Sequence, residues 1–546
     1  MKRPHIIILN PDEMRWDAMG HMGNPAARTP FLDKLSDKEA VLFRRAYCQN
    51  PVCVPSRCSF LTGLYPHTRG HRTMQYLLRE DEPSLFSELK DAGYYVWMNA
   101  RNDLVAGQFP GLADRHASEI YYYDKDEKES AAVSKNQGLY RKRIKEETRF
   151  RYSHFEGLRE EGTDKDWDDT RAACRRILCL PNPEKPLCLF LGWTNPHPPY
   201  QAEEPYFSMI DRAKIPPEIK FEETDGKSLM LKKLHALTQM GDYTETQWRE
   251  LRAVYLAQCA KVDDMVKMVC DTLKEAGMYE NSAIFFLSDH GDFCGDYGLP
   301  EKAQNTFEDC LTRVPLLIKP PKGFQTDAGI TDSLAELVDF YATVMDFAGV
   351  SPKQDHFGRS LRPVLNSRSA SVREFVCCEG GRLQGEVQCD EWHAEGEKGP
   401  AKENPYWPRK TVQLDSEAHE KGTMIFDGRY KYVHRPSGRN ELYDLQNDPG
   451  ERKNIYGSKV VIGQTEKMQK LMLDWYQQTC DIVPKDYDSR FTEEGLWAAM
   501  RTVCPSEMEE EIRKYLREES PGIVQAIRYV LEKKAKRLQH TEEKEQ

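Results

Sequence analysis

The sequence lacks several features, and each absence removes a class of function. No apolar stretch among its 546 residues approaches the roughly 18 needed to cross a bilayer. The first apolar run, Ile6 to Leu9, stops at Asn10-Pro11-Asp12 and is too short for a signal-peptide core. A membrane protein is excluded, and a cytoplasmic one is expected. No block of Lys and Arg stands out and the formal net charge is -11, which excludes nucleic acid and gives no long-range pull on anions, so any anion must be held by a local cluster. There is no internal repeat. Fifteen cysteines, an odd number at irregular spacing without a repeated C-x-x-C, form neither a disulfide framework nor a zinc ribbon, and reduced thiols fit a cytosol.

The chain is too long for one simple core, so a large domain with a smaller companion is expected. Residues 1–375 alternate short apolar runs with helical patterns, which marks an α/β domain around a large, mostly parallel sheet flanked by helices. Ile6 to Leu9 is its first strand and delivers Asp12; Ala283 to Leu287 is a buried strand that delivers Ser288-Asp289-His290. Ligands of open α/β sheets gather at such carboxyl ends. Thr29-Pro30 reads as the N-cap and first position of a helix, and Pro83 does the same for a segment ending at Gly93, before a strand from Tyr94 to Asn99. Thr244 and Gln247 form a capping box ahead of an apolar stripe from Trp248 to Leu273, a core-facing helix that runs up to Gly277. Residues 376–480 read as a smaller α+β domain with antiparallel strands, including a hairpin of Thr423 to Phe426 and Tyr430 to His434 across Asp427-Gly428. Residues 481–546, rich in Glu, Lys and Arg at helical spacing, read as a helical appendage.

The most specific string is Cys53-Val54-Pro55-Ser56-Arg57-Cys58-Ser59-Phe60-Leu61-Thr62-Gly63, which resembles the sulfatase signature C-x-P-S-R-x-x-x-L-T-G at every fixed position. Pro55 suits the first turn of a helix, which puts Cys53 at a helix N-terminus where unpaired N–H groups favour an anion. Other stretches extend the resemblance to about residues 4–456. Gly192 to Tyr200 resembles the family's strand followed by P-H-x-P; Gly295 to Lys302 resembles G-D-H-G-L-x-x-K, with Tyr297 in place of the frequent histidine. Arg313 to Ile318 fits a following strand, and Asp427 to Tyr432 and Glu441 to Glu451 resemble the family's C-terminal tract. Gly93 to Leu104 aligns with G-Y-x-T-x-x-x-G-K-W-H-L, with Arg101 on the lysine and Asp103 on the histidine.

This resemblance implies a sulfatase of the alkaline phosphatase superfamily and of bacterial anaerobic type, with the corresponding fold. It implies that Cys53 is oxidised by a maturase to formylglycine, whose hydrate offers one hydroxyl as nucleophile and a second to expel the sulfate. In an anaerobic source that maturase would be of the radical type. Arg57 then holds the formylglycine oxygen and the metal shell, His197 protonates the leaving alcohol, and Lys302 and Arg101 bind the sulfate. Asp103 either deprotonates the second hydroxyl or holds a substrate hydroxyl. Asp12, Glu13, Asp289, His290 and the modified Cys53 ligate a divalent ion, which turns the repulsion of clustered carboxylates into attraction. Glu13 and His290 stand where many sulfatases have aspartate and asparagine. Calcium is the first expectation, and the imidazole keeps manganese, magnesium and zinc open.

The expected reaction is hydrolysis of a sulfate monoester, of a small molecule or an oligosaccharide, with a carbohydrate favoured. Arg382, Trp392, His393, Trp407 and His419 lie in the irregular region that can rim a sugar pocket. Two rivals stay open: a phosphonate monoester or phosphodiester hydrolase of the same superfamily, and a non-catalytic binding protein whose Cys53 is never modified. The oligomeric state is not legible.

Overall fold

The computed structural model describes residues 3–105, 110–122, 151–159, 164–483, 488–519 and 521–545. They form two compact units: Met1–Pro352 with His356–Asp481, and Lys353–Asp355 with Ile482–Gln546.

The first unit is built on a nine-stranded sheet. Its strands are β1 (His5–Asp12), β2 (Val41–Tyr47), β3 (Tyr95–Asn99), β4 (Glu119–Tyr121), β6 (Leu187–Pro196), β8 (Ser282–Leu287), β9 (Arg313–Val314), β10 (Leu316–Lys319) and β11 (Gly329–Glu336). A two-stranded ribbon pairs β5 (Phe155–Leu158) with β7 (Tyr200–Ala202). The order across the large sheet is β11-β2-β10-β8-β1-β6-β3-β4, with β9 on β2. β10 and the short β9 run against their neighbours, and the remaining pairs are parallel.

Every residue of β1 is buried, as is every residue of β8. That is why these segments read as continuous apolar runs: the sheet is covered on both faces. Alternate side chains enter different cores. Ile6, Ile8, Phe190 and Phe285 meet the helices Cys53–Thr62, Leu85–Asp91 and Val338–Ala348. Ile7, Leu9, Leu189 and Phe286 meet the helices Pro30–Lys38, Lys165–Leu178 and Glu245–Glu275. At about 1.5–3 kcal/mol for each large side chain fully buried, the central strands anchor the layered stack. One consequence matters for function: β1, β3, β6 and β8 end on the same edge of the sheet.

The capping box of Thr244 and Gln247 opens the helix Glu245–Glu275, as the sequence indicates. The Pro83 reading needs correction. The helix Leu85–Asp91 is capped by Ser84, whose hydroxyl accepts from Ser87 N–H, and Pro83 lies one residue before that cap. A serine side chain satisfies an orphan N–H directly, which the proline ring cannot.

The same unit carries a four-stranded antiparallel sheet of β12 (Val376–Gly380), β13 (Gly422–Phe426), β14 (Tyr430–His434) and β15 (Glu441–Asp444), in that order. The second unit contains the helices Glu493–Met500, Glu509–Glu519 and Ile523–Glu545, packed through Leu496, Met500, Ile512, Leu516 and Val530. Among the described residues no helix is long and apolar enough to cross a membrane.

Candidate active site

The shared edge of the sheet brings together residues far apart in sequence. Asp12 ends β1, Asp289 and His290 follow β8, Arg101 and Asp103 follow β3, and His197 follows β6. Cys53 is the first residue of its helix, and the N-cap, Val52, offers no side-chain bond to the free N–H groups.

Cys53 Sγ lies 3.4 Å from Asp12 Oδ1 and 3.2 Å from His290 Nε2. Arg57, one turn along, ties the group together. Its Nε donates to Asp289 Oδ2 at 2.8 Å, its Nη2 to Asp12 Oδ2 at 3.0 Å and its Nη1 to the Arg101 carbonyl at 2.8 Å. That carbonyl sits against Gly192, where a Cβ would overlap it. Gly192 is therefore a packing requirement of the site. Ser56 Oγ donates to the Asp289 carbonyl at 2.6 Å, pinning the same helix to the loop after β8.

His290 Nδ1–H donates to the Gly291 carbonyl at 2.8 Å. This tautomer leaves Nε2 with a bare lone pair directed at Asp12 and Cys53, the arrangement usual for a metal-binding imidazole. Asp12, Cys53, Asp289 and His290, all buried, place one ligand atom each within 4.8 Å of one another, and Asp12, Glu13 and His197 form an adjoining group. Glu13 is fully buried and its Oε1 has no hydrogen-bond partner. An orphaned buried carboxylate oxygen beside two further carboxylates and an imidazole fits a divalent cation.

The electrostatics follow from burial and neighbours. Burial works to raise the Asp12 carboxyl, but Arg101, then Arg57, hold it well below the usual range. Burial wins at Glu13, which is pushed well up despite Lys302. It also pushes the Cys53 thiol up, with Asp12 adding to the effect. Burial and then Lys302 push His197 down. Lys302 Nζ donates to Glu13 Oε2 at 2.8 Å and pairs with Glu301 at 3.2 Å. His197 Nε2 lies 3.6 Å from Glu13 Oε2, and its Nδ1–H donates to the Pro198 carbonyl at 2.7 Å. Arg101 binds Asp12 Oδ2 through Nη2, and Asp103 lies 3.6 Å from Arg57 Nη1 with about a quarter of its side chain exposed. Glu13 and Asp103 take left-handed backbone, φ 70° and 48°, an uncommon state for such residues and one that gathers at functional sites.

The fold thus assembles Asp12, Glu13, Cys53, Arg57, Arg101, Asp103, His197, Asp289, His290 and Lys302 in one place. The five residues of the irregular region are held by partners of their own. Arg382 Nε bonds His419 Nδ1 at 3.3 Å and Arg382 Nη2 the Gln413 carbonyl at 2.8 Å, while His419 Nε2 meets Gln304 at 2.8 Å. His393 bonds Asp390 at 2.7 Å, and Trp392 covers Gly399. Trp407 stacks on Tyr152 with ring centroids 6.1 Å apart.

Supporting residues also appear that the motifs do not mark. Asp166 accepts from Thr194 N–H at 2.9 Å and Asn195 N–H at 2.7 Å, which fixes the backbone just before His197. Tyr200 OH donates to Asp292 at 2.8 Å and accepts from Glu301 N–H at 2.7 Å, which fixes the backbone just before Lys302. The sequence signal for Tyr200 is its place at the end of the proline-rich segment; Asp166 lies 28 residues from its partner Thr194 and gives none.

The chain is similar to known proteins over most of its length. A family model described as Sulfatase matches residues 4–350. The multifunctional alkaline phosphatase superfamily protein PehA of Trinickia caryophylli is 24% identical over 530 residues, covering 90% of this chain and 98% of that protein. The N-acetylglucosamine-6-O-sulfatase of Bacteroides thetaiotaomicron is 23% identical, covering 89% of each. The crystal structure of the phosphonate monoester hydrolase of Agrobacterium radiobacter superposes with a TM-score of 0.66 at 20% identity, covering 87% of this chain and 96% of that one.

Proposed function

Because the chain belongs to the sulfatase family, whose members are sulfuric ester hydrolases, we propose that it hydrolyses the sulfate monoester of a carbohydrate at Cys53. The observation that carries this reading is the position of Cys53 Sγ, at a helix start, 3.4 Å from Asp12 Oδ1 and 3.2 Å from His290 Nε2, with Arg57 bound to both Asp12 and Asp289. A maturase that converts Cys53 to formylglycine is the implied partner. The carbohydrate reading is supported by the N-acetylglucosamine-6-O-sulfatase relative.

Asp12, Glu13, Asp289 and His290 would hold the divalent ion, with calcium first and manganese, magnesium or zinc as alternatives. When present, the ion and the formylglycine supply Lewis acidity and an oxygen nucleophile at this point. The chain's own groups do the rest. Lys302 and Arg101 place fixed positive charge where the sulfuryl oxygens sit, which lowers the cost of charge building there. Arg57 keeps Asp12 and Asp289 together, and with Arg101 it favours the charged form of Asp12. His197, whose Nδ1–H is held by the Pro198 carbonyl, gives a proton from Nε2 to the leaving oxygen only as the imidazolium, and the transfer returns it to the neutral Nδ1–H form. Asp103, beside Arg57 and partly open to solvent, receives a proton in the second half of the reaction.

The test has two parts. Mass analysis of the peptide spanning 45–69 reads the change of a –CH2SH group to –CHO, and sulfate release from monosulfated sugars and an aryl sulfate reads turnover. An unmodified Cys53 in protein that still releases sulfate would overturn the reading. A second reading, hydrolysis of phosphonate monoesters or phosphodiesters, is favoured by the Asp12, Cys53, Asp289 and His290 donor set with its imidazole. Preference for a phosphonate monoester over every sulfate ester in the same assay would select it.

A further inference from the structure

Lys302 is flanked by two carboxylates. Its Nζ donates to Glu13 Oε2 at 2.8 Å and lies 3.2 Å from Glu301 Oε1, and all three residues are buried. An ammonium matched twice over has little charge left for a sulfuryl oxygen, because each carboxylate takes up one of its N–H donors and offsets its charge. Glu301 is also fixed in place. Its N–H donates to Tyr200 OH at 2.7 Å, its carbonyl accepts from Phe293 N–H at 3.0 Å, and its φ is 59°. A carboxylate held beside Lys302 in this way has to have its charge met by another group.

That group is Arg409, in the helix Trp407–Val412. Its Nη1 bonds Glu301 Oε1, 108 residues away in sequence, and its Nη2 bonds Glu391 Oε1 at 2.8 Å. Glu391 is anchored in turn. Gln413 Nε2 donates to Glu391 Oε2 at 2.6 Å, and the Glu391 N–H donates to Gln413 Oε1 at 2.9 Å. The guanidinium carbon of Arg409 lies 4.8 Å from the centroid of the Tyr406 ring, a face that favours a cation. The planar fork thus spans two carboxylates from different segments, which a lysine cannot do. Glu391, Arg409, Glu301, Lys302 and Glu13 form a buried row of alternating sign. Burial works to raise the Glu301 carboxyl, but Arg409 first and Lys302 second hold it below the usual range.

We propose that Arg409 is a positioning residue for the sulfate-binding lysine: by taking up the charge of Glu301 it leaves the Lys302 ammonium free for the sulfuryl oxygens. It acts through Glu301 and not by contact with the sulfate. This rests on the reading of Lys302 as a group that binds the sulfate ester.

The experiment measures binding of inorganic sulfate and inorganic phosphate to the whole, metal-loaded protein by calorimetry, and kcat/KM for p-nitrophenyl sulfate and a phosphonate monoester. It compares the parent with Arg409→Met, Glu301→Gln and the double variant. Arg409→Met sets the full charge of Glu301 against Lys302 and should weaken sulfate by at least about tenfold. Glu301→Gln removes a charge that Arg409 already holds, so alone it should tighten sulfate by no more than about threefold. In the Arg409→Met background the same substitution should bring the affinity back to within about threefold of the parent. A double variant as weak as Arg409→Met would make Arg409 structural and overturn the proposal, as would unchanged sulfate affinity in Arg409→Met. Should Arg409→Met fail to fold, as read by urea unfolding, Glu301→Gln decides: tightening beyond threefold reveals an unshielded Glu301 and overturns the proposal. A parent that binds neither anion would overturn it too. The expected pattern seen with phosphate and the phosphonate monoester, in a protein that cleaves no sulfate ester, would support the role of Arg409 and sink the sulfate-ester reading.

Discussion

Arg57 Nε and Asp289 Oδ2 lie 2.8 Å apart, and neither side chain has any exposed surface. The same guanidinium reaches Asp12 Oδ2 and the Arg101 carbonyl, so one side chain joins the Cys53 helix to the ends of β1, β3 and β8. Such a group is structural and functional together. Arg57→Ala leaves the buried Asp289 carboxylate without its guanidinium partner and Asp12 with Arg101 alone, and is expected to destabilise the protein by about 3–5 kcal/mol, read from urea unfolding. Arg57→Lys keeps the charge but not the planar fork. It should recover part of the stability while losing at least a hundredfold in turnover. A lysine variant with full activity would reduce Arg57 to a charge.

Cys53→Ala removes only a small side chain at a helix start, so its unfolding midpoint should stay within about 1 kcal/mol of the parent, while sulfate release falls to background. Asp12→Ala and Asp289→Ala should lower both metal content and rate, because each removes charge and a ligand from one cage. Full metal occupancy in both aspartate variants would move the ion elsewhere.

His197 is placed to serve the leaving oxygen, so His197→Ala should slow esters of poorly acidic alcohols far more than an activated aryl sulfate, which needs little proton assistance. Asp166→Asn, by loosening the two N–H bonds just before His197, should move the leaving-group dependence in the same direction by a smaller amount. Equal losses on both ester types would make His197 a sulfate ligand.

Much of the site was legible because the chemistry is concentrated in short strings at strand ends. β1 and β8 are buried on both faces, so their apolar runs announce themselves and the residues that follow are placed by topology. The Cys53 string is local too, since its contacts are made by one helix turn. What stayed hidden depends on long-range pairing. Asp166 bonds Thr194, Tyr200 bonds Glu301, and His154 meets Tyr406, and no spacing rule connects any of these pairs. In the irregular region, Trp407 stacks on Tyr152 and Arg382 bonds His419, contacts that no spacing in the sequence announces. Composition marks a region there, and side-chain direction decides the residue.

A buried ion pair outside the site gives a pH-dependent prediction. His71 Nε2 lies 2.8 Å from Glu82 Oε2. Burial opposes charge on His71, but bonds to Cys58 and Glu82 raise it from 6.5 to about 10. Glu82, against burial, is lowered by the same partner. A raised histidine contributes fully below its unfolded value and loses the contribution as pH climbs through the folded one. The lowered glutamate sets the acid side, where the contribution falls away below 4.5. His71→Gln should therefore cost about 2 kcal/mol near pH 6, as for a hydrogen bond to a charged group. The cost should shrink steadily between pH 7 and pH 10. A difference from the parent that grows with pH would contradict the pairing.

Asp103 offers the sharpest test, because it stands where the sulfatase pattern has histidine. Its carboxylate lies 3.6 Å from Arg57 Nη1 and is partly open to solvent, in a loop held at φ 48°. Asparagine tolerates that backbone, so Asp103→Asn changes proton-accepting ability with little change of shape. If Asp103 takes the proton in the second half of the reaction, the variant should release alcohol in a burst, then turn over at least a hundredfold more slowly, and accumulate a species heavier by one SO3 than the resting protein. Mass analysis within the burst reads this directly. A raised KM for a sugar sulfate with an unchanged aryl sulfate rate would instead assign Asp103 to a substrate hydroxyl. Behaviour like the parent on both substrates would leave it a structural partner of Arg57, and the proton would then have to leave through His197, 3.6 Å from Glu13.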